Sequence, residues 1–205
     1  YWFYKIWQKE AFALAQKLEE EHNFDAVHQL NMVGYREPGF LWKMKKPFVW
    51  GPIGGTENVP WKLFSLFSFY GKIFYGGRNI INSFQRSFFE RPKLAASHKQ
   101  STLIAATPDI KKSIKELWKS DAIVIPEVGA VNLSKIEITK RNENEPLKIV
   151  WSGQHTSGKA LHILLKSLSL LTVDINWELH VLGVGKETKN WKPTKKGLHL
   201  AGLFL

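Results

Sequence analysis

LKIVWSGQHTSGKALHILLKSLSLL, running from Leu147 to Leu171, is the stretch whose pattern decides the fold. Leu147 to Trp151 is a short apolar run interrupted by one lysine and reads as a strand. Ser152 to Gly158 is a polar turn. From Lys159 to Leu171 the leucines at 161, 164, 165, 168 and 171 fall on one helical face. Trp177 to Leu182 then reads as the next strand, left through Gly183-Val184-Gly185. Strand, helix and strand in that order predict a βαβ unit with parallel strands.

Upstream lies a change of composition over residues 129–146. Gly129 leads into the polar run Lys140-Arg141-Asn142-Glu143-Asn144-Glu145-Pro146, which has the character of a linker. Before it the alternation recurs. Tyr1 to His22 reads as a helix, with Trp7, Ala11, Leu14, Ala15 and Leu18 at helical spacing. Phe24 to Leu30 and Pro47 to Trp50 read as strands, the second left through Gly51-Pro52-Ile53-Gly54-Gly55. Residues 61–90 predict one or two helices broken near Gly76-Gly77, and Ser101 to Ala106 a third strand. Thr107-Pro108-Asp109 supplies a hydroxyl cap, a proline for the first helical position and an acid for the first turn. That helix should run to about Trp118, and Ala122 to Ile125 is a fourth strand. The expectation is an α/β protein with parallel sheets: residues 1–128, a linker at 129–146, and residues 147–205.

Composition narrows the chemistry. The hydrophobic content of 44% predicts a packed core rather than disorder. The chain holds no cysteine, which rules out disulfides and thiolate metal sites and favours a reducing compartment. It has no run of about eighteen apolar residues. Its first residue is Tyr1 rather than Met, so the question of a preceding segment stays open. The net charge of +11 calls for an anionic partner. Residues 61–100 carry +6 of it, seven Lys/Arg against Glu90 alone, interleaved with aromatics such as Trp61, Phe69, Tyr70, Phe74, Phe84 and Phe88. That mixture suits an anionic lipid surface or stacked single-stranded bases. It also suits a buried aromatic core among solvated lysines.

Three glycine-containing turns and one histidine stand out. Gly51, Gly54 and Gly55 leave a strand's carboxyl end, where ligands bind in open α/β sheets, and Thr56 or Asn58 could cap the next element. Paired glycines there admit a phosphate or sugar to the backbone, or simply make a tight turn. Gly153, Gln154 and Lys159 belong to a strand-to-helix turn, with Lys159 at a helix N-terminus suited to anions. The glycine spacing is not that of a P-loop, and a solvated lysine fits equally well. Gly183 and Gly185 come after a strand and suit backbone approach by a nucleotide, or an ordinary turn. His28 ends Asp25-Ala26-Val27-His28, an edge where catalytic groups sit, although a hydrogen bond to a neighbouring loop would explain it as well. His155 shares the polar turn with Lys159. The other histidines, at 22, 98, 162, 180 and 199, show no metal-ligand spacing, so metal catalysis is not expected.

In this order, from about Phe24 to about Gly185, the pieces resemble glycosyltransferase family 4. Phe24 to His28, Pro47 to Gly55, Leu147 to Leu161 and Trp177 to Gly185 carry the resemblance. It implies a GT-B enzyme: two Rossmann-like domains, the N-terminal one for the acceptor and the C-terminal one for a nucleotide-sugar. It also implies retention of configuration without a metal or other cofactor, since positive side chains and helix N-termini stabilise the departing diphosphate. By the resemblance Lys159 matches the diphosphate-binding lysine. Gln154 stands where members often have arginine, and it donates a hydrogen bond without supplying charge. Gly158 stands where an arginine often precedes that lysine. Where many members carry a catalytic-site histidine, this chain has Gly51 to Gly55, so no histidine role carries over there.

The family also begins with a strand and glycine-rich loop earlier than anything here, and ends with a pair of glutamates. Glu187 is the sole acid after Gly185. The expectation is therefore a middle portion with both domains incomplete and no transferase activity by itself. A parent enzyme would act at the cytoplasmic face of a membrane, on a glycan or lipid-linked acceptor in cell-surface polysaccharide or glycolipid synthesis. Residues 61–100 would dock it there. The alternative is a non-catalytic remnant or binding module of the same fold. Nucleic-acid binding driven by the charge is a third reading, and the chain shows no base-reading motif for it.

Overall fold

The computed structural model describes residues 2–30, 34–129, 142, 145–170, 176–189, 191 and 198–200. It divides into two compact units, one of Tyr1–Asn58 with Ile80–Val131, the other of Val59–Asn79 with Asn132–Leu205. Among the described residues both are α/β with parallel strands only, as the alternation of apolar runs predicts. Of the linker segment, residues 129, 142, 145 and 146 are described; the others lie outside the described residues, as does Leu171.

The first unit is built on β1 (Val27–Gln29), β2 (Phe48–Ile53), β3 (Ser101–Ala105) and β4 (Ile123–Val124), hydrogen-bonded in that order. The first and last strands are shorter than the apolar runs that announced them. Strand β2 is longer: it continues through Gly51-Pro52 to Ile53, so the turn expected to begin at Gly51 begins after Ile53. Gly51 has φ 139°, and a Cβ there would collide with the backbone oxygen of Ile104 on β3. Only glycine lets the two strands stay together across that point. The register does shift between Trp50 and Ile53.

The helix after β3 obeys its local code. Thr107 Oγ1 accepts the Ile110 N–H at 3.2 Å, Pro108 is the first residue of α4 (Pro108–Trp118), and Asp109 sits in its first turn. The helix stops at Lys119, which takes the left-handed conformation. Ile110, Ile114 and Trp118, four apart, are all buried. Trp118 stacks on Trp50 of β2 with ring centroids 5.4 Å apart, and Tyr35, Phe48, Ile53 and Leu103 belong to the same core. Burying a side chain of that size contributes about 2–3 kcal/mol.

Helix α1 (Trp2–His22) forms as expected, but its apolar face is not a core face. Trp7 and Leu14 are exposed, and the buried residue on the helix is Gln8. Between β2 and β3 a 3-10 turn (Trp61–Leu66) precedes α2 (Phe69–Phe88) and α3 (Glu90–Ala96). The expected break at Gly76-Gly77 is absent: α2 runs straight through both. An interior glycine costs only about 1 kcal/mol against alanine. The actual start is set by Ser68, whose Oγ accepts the Gly71 N–H at 3.1 Å. Asn79 holds Val59 by both backbone groups, Nδ2 donating to its carbonyl at 2.7 Å and Oδ1 accepting its N–H at 3.0 Å.

In the second unit β5 (Leu147–Ser152), β6 (Trp177–Leu182) and β7 (Leu198–Leu200) form a parallel sheet in that order. Leu161, Leu179, Val181 and Trp191 are its buried core. Helix α5 (Leu161–Ser169) begins two residues later than expected. Ser157–Lys159 instead forms a 3-10 turn, and Ala160 comes next with φ 60°. Bonds to distant groups hold this turn: Gly158 N–H donates to the Tyr75 hydroxyl at 3.1 Å, and Ser157 Oγ donates to Glu187 at 2.9 Å. No helix among the described residues is long and apolar enough to cross a membrane.

Candidate functional site

Two turns leave the carboxyl ends of β5 and β6 side by side, the place where parallel sheets take ligands. They are bonded together by their backbones. Gly153 N–H donates to Leu182 O at 3.1 Å, His155 N–H to Val184 O at 3.2 Å, and Glu187 N–H to His155 O at 3.0 Å. Closeness of this order needs glycine. Gly183 has φ 120°, and a Cβ on it would run into Gly153 O; one on Gly185 would lie 2.5 Å from His155 O.

His155 sits inside this junction and is 3% exposed. Its ring lies 4.8 Å from Trp191 and 5.7 Å from Trp151, and Nδ1 meets Thr188 Oγ1 at 2.8 Å. Thr188 Oγ1 in turn accepts the Gly185 N–H at 2.9 Å. Burial holds the imidazole below its ordinary pKa, so it is neutral at pH 7. The role this geometry gives His155 is to bolt the turns together.

Beside the turns is a cavity of about 370 Å³. One wall is the start of α2, with Tyr70, Phe74 and Tyr75; the other is Gln154, Thr156 and Ser157 together with residues 184–187. Tyr70 and Phe74 are parallel, 6.1 Å apart, and Tyr75 stands edge-on to Phe74. Lys186 brings a cation to the rim, its Nζ donating to the Tyr70 hydroxyl at 2.7 Å and lying 4.4 Å over that ring. Glu187 brings a buried carboxylate, with Oε1 accepting from Ser68 at 2.5 Å and from Ser157 at 2.9 Å. Aromatic faces, one cation and one carboxylate suit a flat ring and hydroxyl groups better than a bare polyanion.

No match to this chain emerges among protein-family models, curated proteins or solved structures.

The residues themselves therefore carry the reading. Gln154 and Gly185 line the cavity, while Gly153 and Gly183 stand behind it as the junction that shapes it. Lys159 is exposed at the end of the 3-10 turn, and the cavity's lining cation is Lys186 instead. The amides expected to cradle an anion are already engaged: Gly153, His155, Thr156, Gly158 and Lys159 all donate within the protein. Sequence reading missed Lys186 and the aromatic wall as members of this site. Their partners lie far away in the chain, and no local pattern marks them.

The glycine loop of the first unit makes its contacts within that unit. Gly54 O accepts the Tyr35 N–H at 3.0 Å, and Thr56, fully buried, gives its carbonyl to Arg86 at 2.9 Å and to Asn82 at 3.2 Å. Gly55 has φ 78°. His28 is exposed on β1, its Nε2 3.1 Å from Gly51 O. These contacts tie strands and helices together. In a cavity of about 300 Å³ near Arg36, Phe88 and Arg91, Glu37 pairs with Arg91 at 2.9 Å and with Lys5 at 3.4 Å. Among the described residues no cluster of acids and histidines could hold a metal ion.

Proposed function

We propose that the chain belongs to a nucleotide-sugar-dependent glycosyltransferase of GT-B type, and that the cavity beside Lys186 receives the nucleotide part of the donor. The observation that supports this reading is the position and lining of that cavity. It lies at the carboxyl ends of two parallel strands, with aromatic rings on one side and a cation and a carboxylate on the other. A nucleobase has the flat face that Tyr70 and Phe74 can stack. A ribose offers hydroxyl donors of the kind Glu187 accepts, and Lys186 offers its ammonium to a phosphate. Acceptors in this reading are glycans or lipid-linked sugars, and the reaction needs neither a metal nor another cofactor.

A second reading is a binding module without turnover. The already engaged amides and the uncharged Gln154 favour it, because both leave less positive potential where a departing diphosphate would need it. Titration with uridine, guanosine and adenosine diphosphates and their sugar esters, monitored by calorimetry, tests the shared claim. Saturable binding that Lys186→Ala weakens supports it, and no binding by any of them sinks it. A labelled-sugar transfer assay on the same protein separates enzyme from module.

A further inference from the structure

Helix α2 turns its apolar side to solvent and its polar side inward. At about 100° per residue, Phe69, Ile73, Ile80, Ile81, Phe84 and Phe88 fall within an arc of about 120°. All six are exposed, from 57% at Ile81 to 80% at Phe69. The opposite side carries Asn79 and Asn82, which are 2% and 3% exposed and engaged with backbone groups. Six large apolar groups in one stripe are not the scattered exposure of an ordinary surface.

The charge around the stripe identifies its cover. Residues 61–89 contain Lys62, Lys72, Arg78 and Arg86 and not one acid. Arg86 is turned inward to Thr56 O. Lys72 and Arg78 are exposed and sit on either flank of the apolar arc, each about 60° beyond its edge. An apolar stripe bordered by cations and free of acids is the pattern of a helix lying in a membrane interface, side chains among the acyl chains and cations at the headgroup phosphates. We infer that α2 is an interfacial helix that docks the protein on an anionic lipid surface. The helix lies along the surface without spanning it.

Sedimentation with phosphatidylcholine vesicles, and with vesicles of phosphatidylcholine and phosphatidylglycerol in roughly equal parts, tests the inference. Binding is expected to the second kind and to fall as salt rises. Lys72→Ala and Arg78→Ala should each weaken it about fivefold. Ile81→Ser with Phe84→Ser should weaken it about tenfold or more. Far-UV circular dichroism and thermal unfolding should stay unchanged, since those side chains face solvent. The inference fails if the protein ignores both vesicles, binds them equally, or binds unaffected by the apolar substitutions. It also fails if light scattering shows a dimer that the double substitution dissociates without any vesicle binding. The stripe would then be covered by a second copy.

Discussion

Replacing Gly183 by alanine should cost about 3–7 kcal/mol, a figure with three separate parts. The backbone at Gly183 has φ 120°, where an L side chain is strained by about 1–3 kcal/mol. The added Cβ meets Gly153 O, a backbone atom with no flexible side chain to give way. Overpacking of this kind costs about 1–3 kcal/mol. Relief would come from parting the turns, which loosens the Gly153 to Leu182 bond of 3.1 Å and forfeits about 1 kcal/mol. Guanidinium denaturation monitored by fluorescence reads the result, since Trp151 and Trp191 flank His155 in the same unit. Gly77→Ala is the control. A Cβ there meets nothing within 4 Å inside a regular helix, so that variant should gain about 0.5–1 kcal/mol. If Gly183→Ala matches the parent protein to within about 0.5 kcal/mol, the two turns are not packed as described and the cavity they shape goes with them.

Titration, capping and buried polar contacts each supply a further test. His155 and His162 both have their pKa lowered by burial, so the unfolded chain binds more protons than the folded one. Stability should therefore be full above about pH 6.5 and fall as the pH drops below it; urea midpoints across pH 5–7.5 would show this, and His155→Phe should flatten the slope. Thr107→Ala removes the acceptor of the Ile110 N–H and should lower stability by about 1 kcal/mol, while Thr107→Asp should retain most of it, both measured by thermal unfolding. Asn82→Leu leaves the Thr56 and Glu57 carbonyls and the Tyr35 hydroxyl short of a partner, at a cost of about 1–3 kcal/mol in the same assay.

Where folding is decided by neighbours in sequence, reading the sequence located the elements. Thr107-Pro108-Asp109 announced the start of α4, the helix ends at Trp118 as expected, and the bounds of β6 are those of its apolar run. The alternation of such runs was enough to expect α/β layers of parallel strands. Where a distant group decides, local rules misled. Lys159 looked like the first turn of a helix, but the Tyr75 hydroxyl, 83 residues away from Gly158, takes the Gly158 amide and holds the segment as a 3-10 turn. Gly51 looked like the start of a loop, yet its missing Cβ is what keeps β2 against Ile104. Gly76-Gly77 looked like a break, and the helix is instead started by the Ser68 hydroxyl.

The candidate cavity was legible only in part for the same reason. Gln154 and Gly185 lie on turns that strand endings point to, and such endings can be found by eye. Tyr70 and Lys186 meet across 116 residues, and periodicity carries no information over that distance. Helix α2 joins the two problems. Its apolar stripe has the spacing of a core face, and spacing alone says that a face is buried without naming the medium. The answer comes from the opposite side. Asn79 satisfies both backbone groups of Val59 and Asn82 bonds the Glu57 carbonyl, and each such group left without a partner costs about 1–3 kcal/mol. With its polar side committed to the protein, the helix has its apolar side free for a different medium. The acid-free, cation-flanked border of that side is the ground on which we infer an anionic lipid surface as that medium.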